Sequence, residues 1–358
     1  MTKNLKYTLL LALFCSMQIP AQAGWRYNLF ESMVNMGMAF YPLNMLSQSF
    51  DYLKEMTREL RTPVDNTGVK NAYPHAFAYV EKQLKAAEIN INHTQIEDTK
   101  IEYSRCGFRK LFLPLSVLER ESTAPSSRLA NQAKGAIAHE IGHLIRHSAL
   151  KYVAASGLAM VGTELCARHI PIMRTKIIGT ILKTMCSKML FRGYAHFDEY
   201  QADSAAIEQV KNNRQILSDK AIFYLDTHAD DSRAIIHGER DRLIRLFYSP
   251  KFMACVHAVF DVHASFFSRA NRLLNAAGIA CNQRLLAHLL KKQLVEHLSK
   301  NWQEKAQDID TSPIIEILKQ PREKIIADYG IDPGLSREEQ AKALDSVEIP
   351  YPLQTYGQ

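Results

Sequence analysis

Five residues, His139-Glu140-Ile141-Gly142-His143, restrict this chain more than any other stretch. They stand inside a run that reads as one long helix, from a start signal at Pro125-Ser126-Ser127 to about Ser148. Residues four apart share a helix face, so both imidazoles project from one side, about 6 Å apart along the axis. Ile137, Ile141 and Leu144 form the apolar back of the same helix. Two imidazoles at that spacing can converge on one ion at Zn–N distances near ~2 Å. Glu140 lies beside them, where a carboxylate can take a proton from a metal-activated water.

A catalytic zinc needs a third protein ligand and an open position. His147 is too far from His139, about 12 Å along a straight helix. The metzincin pattern would need Gly and His where Arg146 and Ala149 stand. The candidate is Glu199, in Asp198-Glu199-Tyr200-Gln201-Ala202-Asp203. Glu199 and Asp203 are four apart on a helix expected over Asp198 to Lys211. One carboxylate can ligate the metal while the other accepts the free ring N–H of a ligand histidine. The plainer alternative is an acidic helix start favoured by the helix dipole.

HExxH followed some fifty residues later by Glu-x-x-Ala-Asp resembles the HtpX-like, BepA-like and CAAX-prenyl-protease-type gluzincin zinc metallopeptidases. A downstream segment of that family, His-Pro-x(4)-Arg-x-x-Arg-Leu, is similar to His263-Ala264-Ser265 with Arg269, Arg272 and Leu273. Ala264 replaces the proline, and His228 with Arg233 matches less well. Ala195-His196 stands where a Ser-Arg pair is common. The resemblance covers roughly residues 70–280. It implies one Zn2+ per chain held by His139, His143 and Glu199, with Glu140 as base. It further implies Asp203 behind a ligand, His263 as a catalytic oxyanion donor or a gate, and Arg269 as a structural or orienting partner. The expected fold is α+β, mostly helical, with a small β-sheet beside the HExxH helix. The expected activity is hydrolysis of protein or peptide substrates. A latent or inactive peptidase serving as a protein-binding module is the alternative.

The remainder frames that reading. Lys3 and Lys6, an apolar Leu9–Met17 and Ala21-Gln22-Ala23 form a secretory signal over 1–23, so the chain is expected to be exported, to a periplasm first and outright secretion second. Residues 24–69 form an N-terminal segment, 70–285 the metallopeptidase domain, and 286–358 a helical, Pro-interrupted appendage. Within it, short helices fit Ile314–Leu318 and Ser336–Leu344. Pro74 to Ala86 reads as a helix buried through Phe77, Val80 and Leu84. Strands are expected at Ile89–Ile91, Ile101–Tyr103 and Leu111–Val117. The last is an edge strand, because Pro114 has no N–H, and it would align an extended substrate. Residues 150–191 read first as two amphipathic helices packed on the domain and second as a hairpin in peripheral membrane contact. Cys166–Cys186 is a candidate disulfide. The net charge is +7, yet Lys and Arg form no run, so no nucleic-acid tract is indicated.

Overall fold

The computed structural model describes residues 53–54, 56–123, 127–174, 177–238, 266–279, 281, 285–290, 292–293 and 310–347. The signal segment and His263 lie outside these residues. The chain divides into two units, Met1–Arg58 with Leu150–Tyr194, and Glu59–Ala149 with Ala195–Gln358. The described residues are mostly helical, with one three-stranded sheet.

The larger unit begins with α1 (Thr67–Ala72) and α2 (Pro74–Ala86). Pro74 opens α2, where its missing N–H is harmless, and Ala76, Phe77, Val80 and Leu84 bury one face. The sheet follows, with β1 (Gln95–Asp98), β2 (Arg105–Cys106) and β3 (Lys110–Leu113) in the order β1-β3-β2. β1 runs parallel to β3, with Ile96 opposite Leu111, and β2 runs antiparallel to it. Leu111 and Leu113 alternate inward.

Three strand expectations change. β3 is the central strand, paired on both sides, so it offers no edge to a substrate. Pro114 falls just beyond it and starts α3 (Leu115–Arg120), where no ladder bond is needed. Ile101–Tyr103 is a 3-10 turn, closed by the Ser104 hydroxyl donating to the Ile101 carbonyl at 3.0 Å. The run at 89–91 leads into another 3-10 turn, Ile91–His93, because the Asn90 side chain accepts from the Asn92 N–H. Local side-chain bonding outcompetes the apolar alternation at both places.

The Ser127 hydroxyl caps α4 (Arg128–Ile145) by accepting from the Ala130 N–H. One side of α4, with Ile137, Ile141 and Leu144, shares a core with Val80, Ile96, Leu111 and Leu113. Ala138 points into a second core, built from α6 (Ile177–Val210), α7 (Arg214–Gly238) and α8 (Phe266–Ala276). The sheet therefore does lie beside the HExxH helix. Helix α4 ends at Ile145, and His147 takes a left-handed φ of 55° with its side chain exposed.

The C-terminal helices α9 (Ser312–Leu318), α10 (Arg322–Asp328) and α11 (Arg337–Ser346) belong to the second core through Ile314, Ile315, Leu318, Ile325, Ile326 and Leu344. Arg128 joins Asp226 of α7 to Asp310, at 2.7 Å each, and the Thr311 N–H and hydroxyl donate to Asp226. Ser336 and Glu339 form a capping box on α11.

In the smaller unit, α5 (Ser148–Ala167) contributes from residue 150 onward and α6 up to residue 194. Tyr152 packs edge-on against Phe191 and Tyr194, and Lys183 bonds Glu164 at 3.0 Å, which sets the two helices antiparallel. A Cβ at Gly179 would come 2.3 Å from the Met173 carbonyl, so only glycine lets the Pro171–Arg174 turn close on α6. Cys166 and Cys186 are both free thiols, which replaces the expected bridge.

α4 and α6 meet at Gly142. A Cβ there would lie 2.7 Å from the Ala202 carbonyl oxygen and 3.2 Å from Ala202 Cα, both backbone atoms that cannot swing aside. Gly142→Ala should cost about 1–3 kcal/mol through overpacking and separate the two helices. Denaturant titration of the variant beside the parent protein measures that cost.

Candidate metal centre

Helix periodicity puts His139 and His143 on the same side of α4, and the Gly142 contact brings α6 against that side. Glu199 projects from α6 into the same space. Its Oε2 lies 3.2 Å from His139 Nε2 and its Oε1 3.5 Å from His143 Nε2. The two Nε2 atoms are 3.2 Å apart. One ligand atom from each of the three residues falls within 4.8 Å of the others, and all three residues are buried.

The other ring nitrogens are tied down by carboxylates. Asp203 Oδ1 lies 2.9 Å from His139 Nδ1, and Asp198 Oδ2 lies 3.0 Å from His143 Nδ1. A carboxylate on Nδ1 holds a proton there, which leaves Nε2 as the nitrogen that can present a lone pair to an ion. Asp198 sits mid-helix in α6, so the helix-dipole alternative for these acids does not apply. The left-handed turn at His147 brings the Ser148 hydroxyl to 3.2 Å from His143 Nδ1.

Arg269 enters from α8. Its Nε and Nη2 donate to the two Asp203 oxygens at 2.7 and 3.0 Å, and its Nη1 lies 2.8 Å from Glu199 Oε2. Nη2 also bonds the Tyr224 hydroxyl and reaches the His139 ring. The Tyr224 ring lies 4.3 Å beneath the guanidinium carbon. Lys220, one turn earlier on α7, is buried with its Nζ over the Phe223 and Tyr224 rings. The bare Gly135 makes room for it, since a Cβ there would lie 3.0 Å from Lys220 Cβ.

Glu140, next to His139 on α4, is buried. Burial, and then the charge of Glu140, pushes the Cys106 thiol of β2 well above its ordinary range. Four buried carboxylates, Glu140, Asp198, Glu199 and Asp203, face two buried cations, Lys220 and Arg269. Arg146 stands farther out, 29% exposed and 3.9 Å from Asp198. With His143 neutral, as a metal ligand must be, two negative charges are left over, and a divalent cation would balance them. Donor type, spacing and charge all fit a metal ion.

Of the residues singled out in the sequence, the structure gathers His139, Glu140, His143, Glu199, Asp203 and Arg269 into one site. His147 and His196 stay outside the cluster. Asp198, Tyr224 and Lys220 join it without having been singled out for these roles. Asp198 had one available signal, its place beside Glu199. No protein family, curated protein or solved structure matches the chain.

Burial alone would raise Asp203, but Arg269 and then His139 hold it well below the usual carboxylate range. Asp198 is also lowered against its burial, by the bonds from His143 and Ser148. Their share of the stability is complete above about pH 4 and is lost as pH falls. His143 runs the other way. Burial opposes its charge, yet Asp198, Glu199 and Glu140 push its pKa from 6.5 to about 10. A metal ion must displace that proton, so apparent affinity should climb with pH between 6.5 and about 10. Competition with a calibrated chelator across that range reads the slope. Arg269→Met strands Asp203 and should cost about 3–5 kcal/mol, seen as a lower denaturation midpoint.

Proposed function

We propose that the chain is an exported zinc-dependent endopeptidase of gluzincin type, which hydrolyses peptide bonds of proteins in the cell envelope. The observation that carries this reading is the buried cluster of His139, His143 and Glu199 with a buried Glu140 in the next position along α4. A structural metal site has no use for that fourth carboxylate, whereas hydrolysis needs a base.

His139, His143 and Glu199 would hold the ion. When bound, zinc supplies Lewis acidity, polarising a carbonyl and lowering the pKa of water. Glu140 takes the proton from the attacking water and returns it to the leaving amine. Asp203 and Asp198 keep each imidazole in the tautomer that presents Nε2. Arg269 fixes the Glu199 carboxylate, so that its oxygens stay aimed at the histidines. Substrate alignment falls to some element other than β3, whose two sides are taken.

Purified protein should contain close to one zinc per chain, and Glu199→Ala should lose or strongly weaken it. Glu140→Gln should keep the zinc and lower cleavage of an unfolded protein by about 10²–10⁴-fold. Cleavage retained in Glu140→Gln would sink the assignment. Zinc bound with no cleavage by the parent protein would turn the reading toward a binding module.

A further inference from the structure

Helix α5 is built inside out. Its buried face carries Ser156, Ala159, Thr163 and Ala167, all small or polar. The opposite face carries Leu150, Leu158, Val161 and Leu165, all exposed, with Leu158 at 72% and Val161 at 59%. At 100° per residue these four fall within a stripe about 80° wide. Ile170 and Ile172 extend the exposed apolar surface into the following turn. Burial drives large apolar residues inward, so this reversal needs an apolar medium outside.

Charge identifies the medium. Residues 150–194 contain seven Lys and Arg against one acid, Glu164, a net +6 in a chain whose total is +7. That one acid is bonded to Lys183. Exposed Lys151 starts the stripe, exposed Arg168 ends it, and exposed Arg174 follows Ile172. No helix among the described residues is long and apolar enough to cross a membrane. A one-sided apolar helix rimmed by cations suits a helix lying in the plane of a bilayer surface.

We propose that the outer face of α5 and the turn after it form a docking surface for an anionic lipid bilayer, with Leu158 and Val161 inserted among acyl chains and Lys151, Arg168 and Arg174 against headgroup phosphates. The proposal is independent of the metal-site reading, because none of its residues belongs to the unit that holds the metal centre.

The test is flotation of the full chain on vesicles of phosphatidylcholine alone and of phosphatidylcholine mixed with phosphatidylglycerol. The parent protein should float with the anionic vesicles and release at high salt. The double variants Leu158→Glu with Val161→Glu, and Lys151→Gln with Arg168→Gln, should each lower the bound fraction roughly tenfold. All four sites are exposed, so circular dichroism and zinc content should match the parent protein. Flotation equal on both vesicle types, flotation unchanged in the glutamate variant, or no flotation at all would overturn the proposal. A concentration-dependent dimer abolished by the glutamate variant, without flotation, would overturn it in favour of a second copy of the chain.

Discussion

Arg269 carries a permanent charge into the protein interior, and the site is arranged around that fact. A guanidinium cannot shed its proton, so burial obliges the surrounding chain to supply anions and acceptors. Asp203 answers with both oxygens, Glu199 with one, and Tyr224 with its hydroxyl and ring face. These bonds tie α8 to α6 and α7 and fix the very carboxylates that address the histidines. Orientation of the His139 imidazole is thus a by-product of satisfying one buried cation, while Asp198 holds that of His143.

Close backbone approach is the second constraint. Gly142 lets α4 press against Ala202, and Gly135 lets it lie over Lys220. Helices bearing a Cβ at both places would stand farther apart, and bonds near 3 Å between His139, His143 and the acids of α6 would not form. The apolar cores on either side of α4 supply the packing energy, and the glycines decide how near the polar groups come.

The helix that carries His139 and His143 was legible because its signal is local. The start at Ser127, the apolar back and the spacing of His139 and His143 all fall within twenty-odd residues. Glu199 and Asp203 could be read only relative to that motif. Tyr224 and Lys220 were silent because their roles arise from packing α7 under Arg269, and no periodicity announces a polar residue that faces a partner brought in from elsewhere. Strands were misplaced where a short polar side chain made a turn bond, as at Asn90 and Ser104. The rank of β3 depends on what lies on each side of it, which Pro114 does not disclose. On α5 the sequence showed apolar residues but not which face they occupy, and that face separates a packed helix from an outward-facing one.

The sequence separation within the centre sets an order of events. His139 and His143 are made first, Glu199 about fifty residues later, and Arg269 a further seventy on. A chain growing from its N-terminus therefore displays a bare pair of histidines well before the guanidinium that braces their partners exists. Loop closure over 66 residues from Asp203 and 130 from His139 must come before the last bonds form. Maturation of the centre is thereby coupled to synthesis of the chain through Arg269, and a chain cut short before that residue has the motif without the guanidinium that braces it.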